Sequence, residues 1–165
     1  MPSSFSVIRS VEFSETDMAG IMHYSNFFRF MEAAEHAFFR SIGFSVAARP
    51  GAPKVGWPRV HASCDYFRPL RFEDRVEIRM DIVEKRSKSL AYEFRFFRIV
   101  ESEGSSAAGR EEVAKGRLTV VCVAHQPDGT MKAAAIPSEI ADHIEVSAEA
   151  ATAIASKASP TAAGS

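Results

Sequence analysis

Apolar and polar positions alternate along residues 5–13, with Val7, Arg9, Val11 and Phe13 on one face and Ile8, Ser10 and Glu12 on the other, which predicts a β-strand. The period then changes. Phe27, Met31, Ala34, Phe38 and Ile42 recur at helical spacing, and Phe28, Phe30, Ala33, Ala37 and Phe39 widen that stripe around most of the circumference. Only Arg29, Glu32, His36 and Arg40 remain as a narrow polar ridge. Ser25 or Asn26 suits the N-cap of this helix and Gly43 the position just past its end, giving a span of about 27 to 42. A helix so apolar must be buried, and the rest of the chain has to cover it.

Strand patterns follow a Pro/Gly-rich connection at 50–58. Segment 59–68 is strand-like. Segment 75–84 sets Val76, Ile78, Met80 and Ile82 against Arg75, Glu77, Arg79 and Asp81. Segment 90–100 sets Leu90, Tyr92, Phe94 and Phe96 against Ala91, Glu93, Arg95 and Phe97, and segment 112–125 ends in the apolar run Leu118 to Ala124. Tight turns near 86–89 and around Gly104 to Gly109 favour antiparallel neighbours. Pro137 fits the first position of a short helix reaching about Val146. The reading is therefore one α+β domain over residues 1–146, followed by an Ala/Ser-rich tail, 147–165, too poor in large apolar residues to pack and expected to be disordered.

Bulk properties narrow the function classes. The chain has 165 residues, enough for one domain with a sizeable core, and Lys plus Arg number 20 against 21 Asp plus Glu. So balanced a charge offers no field to recruit nucleic acid or a membrane surface, and an anionic ligand has to be met by a local basic cluster. Cys64 and Cys122 sit singly in strand-like runs and form no disulfide framework. The opening residues Met1 to Ser4 lack the basic and apolar regions of a secretory signal, and no apolar run approaches the ~20 residues needed to span a bilayer. The expectation is a cytoplasmic domain.

The candidate chemistry lies between the first strand and the helix, in Thr16-Asp17-Met18-Ala19-Gly20-Ile21-Met22-His23-Tyr24-Ser25-Asn26-Phe27. Standing alone, a loop aspartate after a strand more commonly caps a turn. Here Asp17 sits in a Gly-containing loop that enters a helix N-terminus, where N–H donors and a partial positive charge can hold a developing oxyanion. The spacing D-x-x-G-x-x-x-[YH]-x-x-[YF] resembles the 4-hydroxybenzoyl-CoA thioesterase family of hotdog-fold acyl-CoA hydrolases. That resemblance spans roughly residues 5–145. It implies a curved antiparallel sheet of about five strands wrapped around one long central helix, and an active site between subunits of a homodimer or homotetramer.

It also implies hydrolysis of an acyl- or aryl-CoA thioester to free acid and coenzyme A, which is itself part of the substrate, with no separate cofactor. Asp17 is then the nucleophile or general base. Gly20 lets backbone approach the acyl carbonyl, and the Tyr24 N–H polarises it. His23 reads as loop packing. Lys85, Arg86 and Lys88, three cations at a hairpin tip, are either a solvated turn or a clamp for the coenzyme A phosphates. The rings of Phe27, Phe28, Phe30 and Tyr24, with Trp57 at the entry to the second strand, suggest a compact or aromatic acyl group.

Other readings compete at particular residues. Glu35 falls within the apolar arc of the helix, so it must be paired or face a cleft, and it rivals Asp17 as the essential carboxylate. Gly43-Phe44-Ser45-Val46-Ala47 imitates a nucleophile elbow but follows a helix rather than a strand. The five histidines show no metal-ligand spacing. A hotdog hydratase or dehydratase would carry an Asp/His pair that this chain does not display, and a non-catalytic acyl-CoA-binding module would have no use for Asp17.

Overall fold

The computed structural model describes residues 3–47, 50–51, 54–100 and 109–149. The turn expected around Gly104 and the tail from residue 150 onward lie outside the described residues. Strand β1 (Ser4–Ser10) leads through a short 3₁₀ turn (Phe13–Glu15) to helix α1 (Ser25–Ser41). Strands β2 (Val55–Gly56), β3 (Arg59–Tyr66), β4 (Arg75–Lys85), β5 (Ser89–Val100), β6 (Gly109–Val121), β7 (Val123–His125) and β8 (Met131–Ala133) follow, then the four-residue helix α2 (Ser138–Ala141). Five strands form an antiparallel sheet in the order β1-β4-β5-β6-β3, and β2-β7-β8 form a smaller sheet.

The alternation read from the sequence is the alternation of faces. Val76, Ile78, Met80 and Ile82 of β4 and Leu90, Tyr92, Phe94 and Phe96 of β5 are all buried. Register places them side by side, Ile78 beside Phe96 and Met80 beside Phe94, with Gly116 of β6 next to Phe94. Against this face lie Phe27, Phe30, Met31, Ala34 and Phe38 of α1. Helix and sheet are held close at one point by a missing side chain. A Cβ on Gly116 would overlap the Met31 thioether, so the methionine rests on bare backbone. The opposite sheet face is an ion-pair lattice, including Arg95 with Glu112 at 2.9 Å and Lys115 with Glu93 at 3.0 Å.

Element ends differ from expectation in three places. β1 stops at Ser10, because Val11 N–H donates to Asp74 O and the chain then turns; Phe13 is left in the 3₁₀ turn, 75% exposed. The N-cap of α1 is Tyr24, so Ser25 and Asn26 are already helical. The Ser25 N–H donates instead to His23 Nδ1. Pro137 caps α2 rather than occupying its first turn, and the helix ends at Ala141 instead of reaching Val146. At the other end of α1, Gly43 has φ +86°, its N–H donates to Arg40 O, and the Phe44 N–H donates to Phe39 O, a Schellman closure. Beyond α2 the chain stays docked through Ser147, a buried residue whose N–H donates to Ile82 O. No helix among the described residues is long and apolar enough to cross a membrane.

Candidate active site

Residues 15–23 form a small closed hairpin. His23 N–H donates to Glu15 O at 2.9 Å, Thr16 bridges Met22, and Asp17 N–H donates to Ile21 O at 3.0 Å. The turn closes with Gly20 N–H on Asp17 O at 2.9 Å, and Gly20 adopts φ +76°, a conformation that favours glycine over residues with a Cβ. The Asx bond of an ordinary loop aspartate is present: Asp17 Oδ1 accepts the Ala19 N–H at 2.8 Å. Its partner Oδ2 has no hydrogen bond among the described residues. The turn thus orients the carboxylate and leaves one oxygen open.

Tyr24 stands where this hairpin becomes α1. Its carbonyl accepts the Tyr66 hydroxyl at 3.1 Å and the Phe27 N–H at 3.3 Å, whereas its own N–H has no partner among the described residues. Helix geometry leaves such donors at an amino end, where the dipole adds partial positive charge. Asp17 and Tyr24 both border a cavity of about 470 Å³ whose remaining wall includes Phe27, Tyr66, Phe67 and Arg68. Phe27 and Tyr66 meet edge to face at 5.0 Å. The structure therefore gathers Asp17, Gly20 and Tyr24 into one loop-and-helix junction, and two of the three, Asp17 and Tyr24, border one aromatic cavity.

The basic cluster is elsewhere. Asp17 follows β1, whose end at Ser10 pairs with Arg75 at the start of β4, while Lys85 ends that strand. Ten residue steps of strand, at most about 33 Å, run from Arg75 to Lys85, which puts the basic cluster at the opposite end of β4 from the one that Ser10 pairs with. Lys85 Nζ donates to the carbonyls of Ala141 at 2.6 Å and Ile144 at 2.9 Å, tying β4 to the end of α2. Arg86 pairs with Glu84 at 2.8 Å, and Lys88 is exposed.

Glu35 is the unusual carboxylate. It is fully buried, its Oε2 is bound by Arg59 of β3, and its Oε1 has no partner. Burial outweighs the arginine and pushes its pKa up to about 7. Tyr92 OH is likewise buried without a partner, and the neighbouring Glu35 charge adds to the burial that raises it. Glu35 does not line the Asp17 cavity. Nor does Trp57, which is buried against Phe39 with ring centres 5.4 Å apart.

Tyr66, Phe67 and Arg68 reach the cavity from the end of β3, a tertiary approach with no local sequence signal. Asn26, legible as a possible N-cap and as one of the positions that match the family spacing after Asp17, is buried with its Nδ2 on Glu15 O at 2.7 Å.

Comparison with known proteins places this geometry. The family model of the Thioesterase-like superfamily matches residues 11–144. A 1,4-dihydroxy-2-naphthoyl-CoA hydrolase of Prochlorococcus marinus is 31% identical over 96 residues, covering 53% of this chain and 64% of that protein. The chain spans 59% and 64% of the length of the first curated relatives it matches. Among solved structures, a gentisyl-coenzyme A thioesterase aligns with a TM-score of 0.67 at 29% identity, covering 83% of this chain and 99% of the other. The 4-hydroxybenzoyl CoA thioesterase of Pseudomonas sp. strain CBS-3 aligns with a TM-score of 0.69 at 20% identity over 86% and 99%, a likeness of fold.

Proposed function

The chain belongs to the Thioesterase-like superfamily, in which a hotdog fold sets an antiparallel sheet with few helices, and from that premise we propose that it hydrolyses acyl-CoA thioesters to the free acid and coenzyme A. The sheet is read as curving around α1. One observation carries the proposal: Asp17, whose carboxylate keeps one open oxygen, and Tyr24, whose N–H is unpaired at the helix end, border the same cavity. Several relatives carry the names of hydrolases or thioesterases of hydroxyaryl-CoA esters, and those names support an aryl acyl group.

In this scheme the thioester carbonyl carbon lies beside Asp17 and its oxygen accepts the Tyr24 N–H. As the carbonyl becomes tetrahedral, negative charge gathers on that oxygen, where the donor and the α1 dipole stabilise it; one such donor is typically worth about 10²–10³-fold in rate. Asp17 Oδ2 either attacks the carbonyl, giving a mixed anhydride that water then opens, or removes a proton from the attacking water. Coenzyme A leaves as the thiolate and is protonated. Gly20 keeps the turn free of a side chain. Arg86 and Lys88, which follow the far end of β4 from the Ser10–Arg75 pair, are assigned to the nucleotide end of a ligand held by a neighbouring copy. The free thiols Cys64 and Cys122 suit a reducing compartment, and a cytoplasmic location is proposed on that ground.

The test is thiol release from acyl-CoAs, followed with a DTNB-type reagent. Asp17→Asn keeps the shape of the side chain and removes its basicity, so it should fold normally and lose on the order of 10²–10⁴-fold in kcat. A variant within threefold of wild type, beside an inactive Glu35→Gln, would transfer the essential role to the helix carboxylate.

A further inference from the structure

We infer that Asn26 is a positioning residue for this hydrolysis: its buried side-chain amide braces the base of the Asp17 hairpin against α1 and so sets the carboxylate relative to the Tyr24 N–H. The inference rests on the reading of Asp17 and Tyr24 given above.

The argument is one of connectivity. The hairpin closes on itself through Glu15 with His23, Thr16 with Met22, and Asp17 with Ile21, so it behaves as one body whose orientation depends on its base. Asn26 grips both sides of that base. Its backbone N–H donates to His23 O at 2.9 Å, on the returning side, and its Nδ2 donates to Glu15 O at 2.7 Å, on the outgoing side. Any helical residue could make the first bond. The second needs a donor on a side chain of this length. Glu15 O thereby receives two donors, His23 N–H and Asn26 Nδ2, which uses both of its lone pairs.

Asn26 sits two residues beyond Tyr24, in the first turn of α1, so the brace joins the two halves of the proposed machinery by a short path. Met22 N–H on Leu70 O at 2.7 Å and Arg71 Nη1 on Gly20 O at 3.5 Å bind the hairpin to the β3–β4 connection, and Arg9 pairs with Glu15 at 3.4 Å from β1. Ser25 of α1 also holds His23 Nδ1, through its N–H at 3.3 Å and its Oγ at 2.7 Å, but on the returning side alone. Asn26 is what joins the helix to the outgoing side. The side chain is only 9% exposed, so water cannot readily replace the lost donor. A carboxylate that drifts by about 1 Å from its reacting geometry can cost on the order of 10²-fold in rate.

Asn26→Asp keeps size and replaces the donor by an oxygen facing a carbonyl; Asn26→Leu keeps approximate shape and removes the donor. Two readouts apply to both variants. Amide hydrogen exchange should quicken at Asp17, Gly20 and His23 by tenfold or more, while β4, β5 and β6 keep wild-type protection. With acyl-CoA, kcat should fall about 10–100-fold with KM within threefold, because placement of the carboxylate matters to the transition state and not to holding the substrate. Unchanged exchange in the hairpin, or a rise in KM with kcat intact, overturns the inference. Loss of protection throughout the sheet in both variants also overturns it, by assigning Asn26 to folding. If the wild-type protein releases no thiol from any acyl-CoA, the thioesterase reading falls, while the exchange data still decide whether the brace exists.

Discussion

Arg59, on edge strand β3, binds one oxygen of Glu35 on α1 and leaves the other oxygen buried without a partner. A carboxyl held in this way prefers its proton. Folded, Glu35 titrates near 7, against 4.5 for an ordinary glutamate. Between those values the native state keeps a proton that the unfolded chain has released, so this group's contribution to stability is complete below about pH 4.5 and is lost as pH rises through 7. The loss amounts to about 3 kcal/mol at 1.36 kcal/mol per pH unit. Arg59, which lowers it, and Glu32, which raises it, are the ionisable neighbours that shape it. Urea unfolding of wild type and Glu35→Gln at pH 5 and pH 8 should show the variant lacking this part of the pH dependence. Parallel curves would show that Glu35 is ionised throughout the range.

Charge reversal at Arg86 and Lys88, both to Glu, should raise KM for acyl-CoA and leave kcat nearly unchanged. A contact at the nucleotide end is made equally in ground and transition states. The same variant should treat acyl-pantetheine, which lacks the nucleotide phosphates, like the wild type. Equal damage with both substrates would leave these side chains as solvent-facing charges on a turn. Lys85 is excluded from the pair because removing its ammonium would free the carbonyls of Ala141 and Ile144.

The protein should be at least a dimer. Strand β3 is exposed over nearly its whole length, with Val60 62% and Tyr66 45% exposed, and it is an edge of the sheet. Such an edge invites pairing with another strand. A second copy there would also bring new side chains toward Tyr66 and the cavity it borders. Sedimentation across a dilution series should show dissociation and loss of hydrolysis together. A fully active monomer at micromolar concentration would contradict this.

Aryl-CoA esters should outperform long acyl chains. The cavity is walled by Tyr24, Phe27, Tyr66 and Phe67, rings that stack well on a flat acyl group. Hydrolysis rates for benzoyl-, hydroxybenzoyl- and naphthoyl-CoA should exceed those for palmitoyl-CoA. A profile that climbs from C6 to C16, with no aryl turnover, would reject the preference.

The helix face and the strand faces were legible because burial follows periodicity: Phe27, Met31 and Phe38 at helical spacing, Val76 through Ile82 at spacing two. The Asp17 turn was legible as a motif because its bonds are local. The aromatic wall was not, since Tyr66 and Phe67 reach Tyr24 only through the pairing of β3 with β6. Trp57 misled for the same reason, having a ring suited to a ligand and a place in the core beside Phe39. Lys85 read as one of three equivalent cations; two carbonyls more than fifty residues away set it apart.

The end of the Met31 side chain occupies the space over Gly116. A lineage that gains alanine at 116 meets the thioether above it, and one that trims Met31 opens a void over bare strand. The thioether can swing aside, so an alanine at 116 is accommodated by a change in Met31's rotamer, whereas a shorter side chain at 31 leaves its space unfilled. Met31 also lies two turns into the helix whose first residues carry the Tyr24 N–H. A change at this glycine, in the middle of the sheet, therefore acts on the proposed donor through the helix that rests on it.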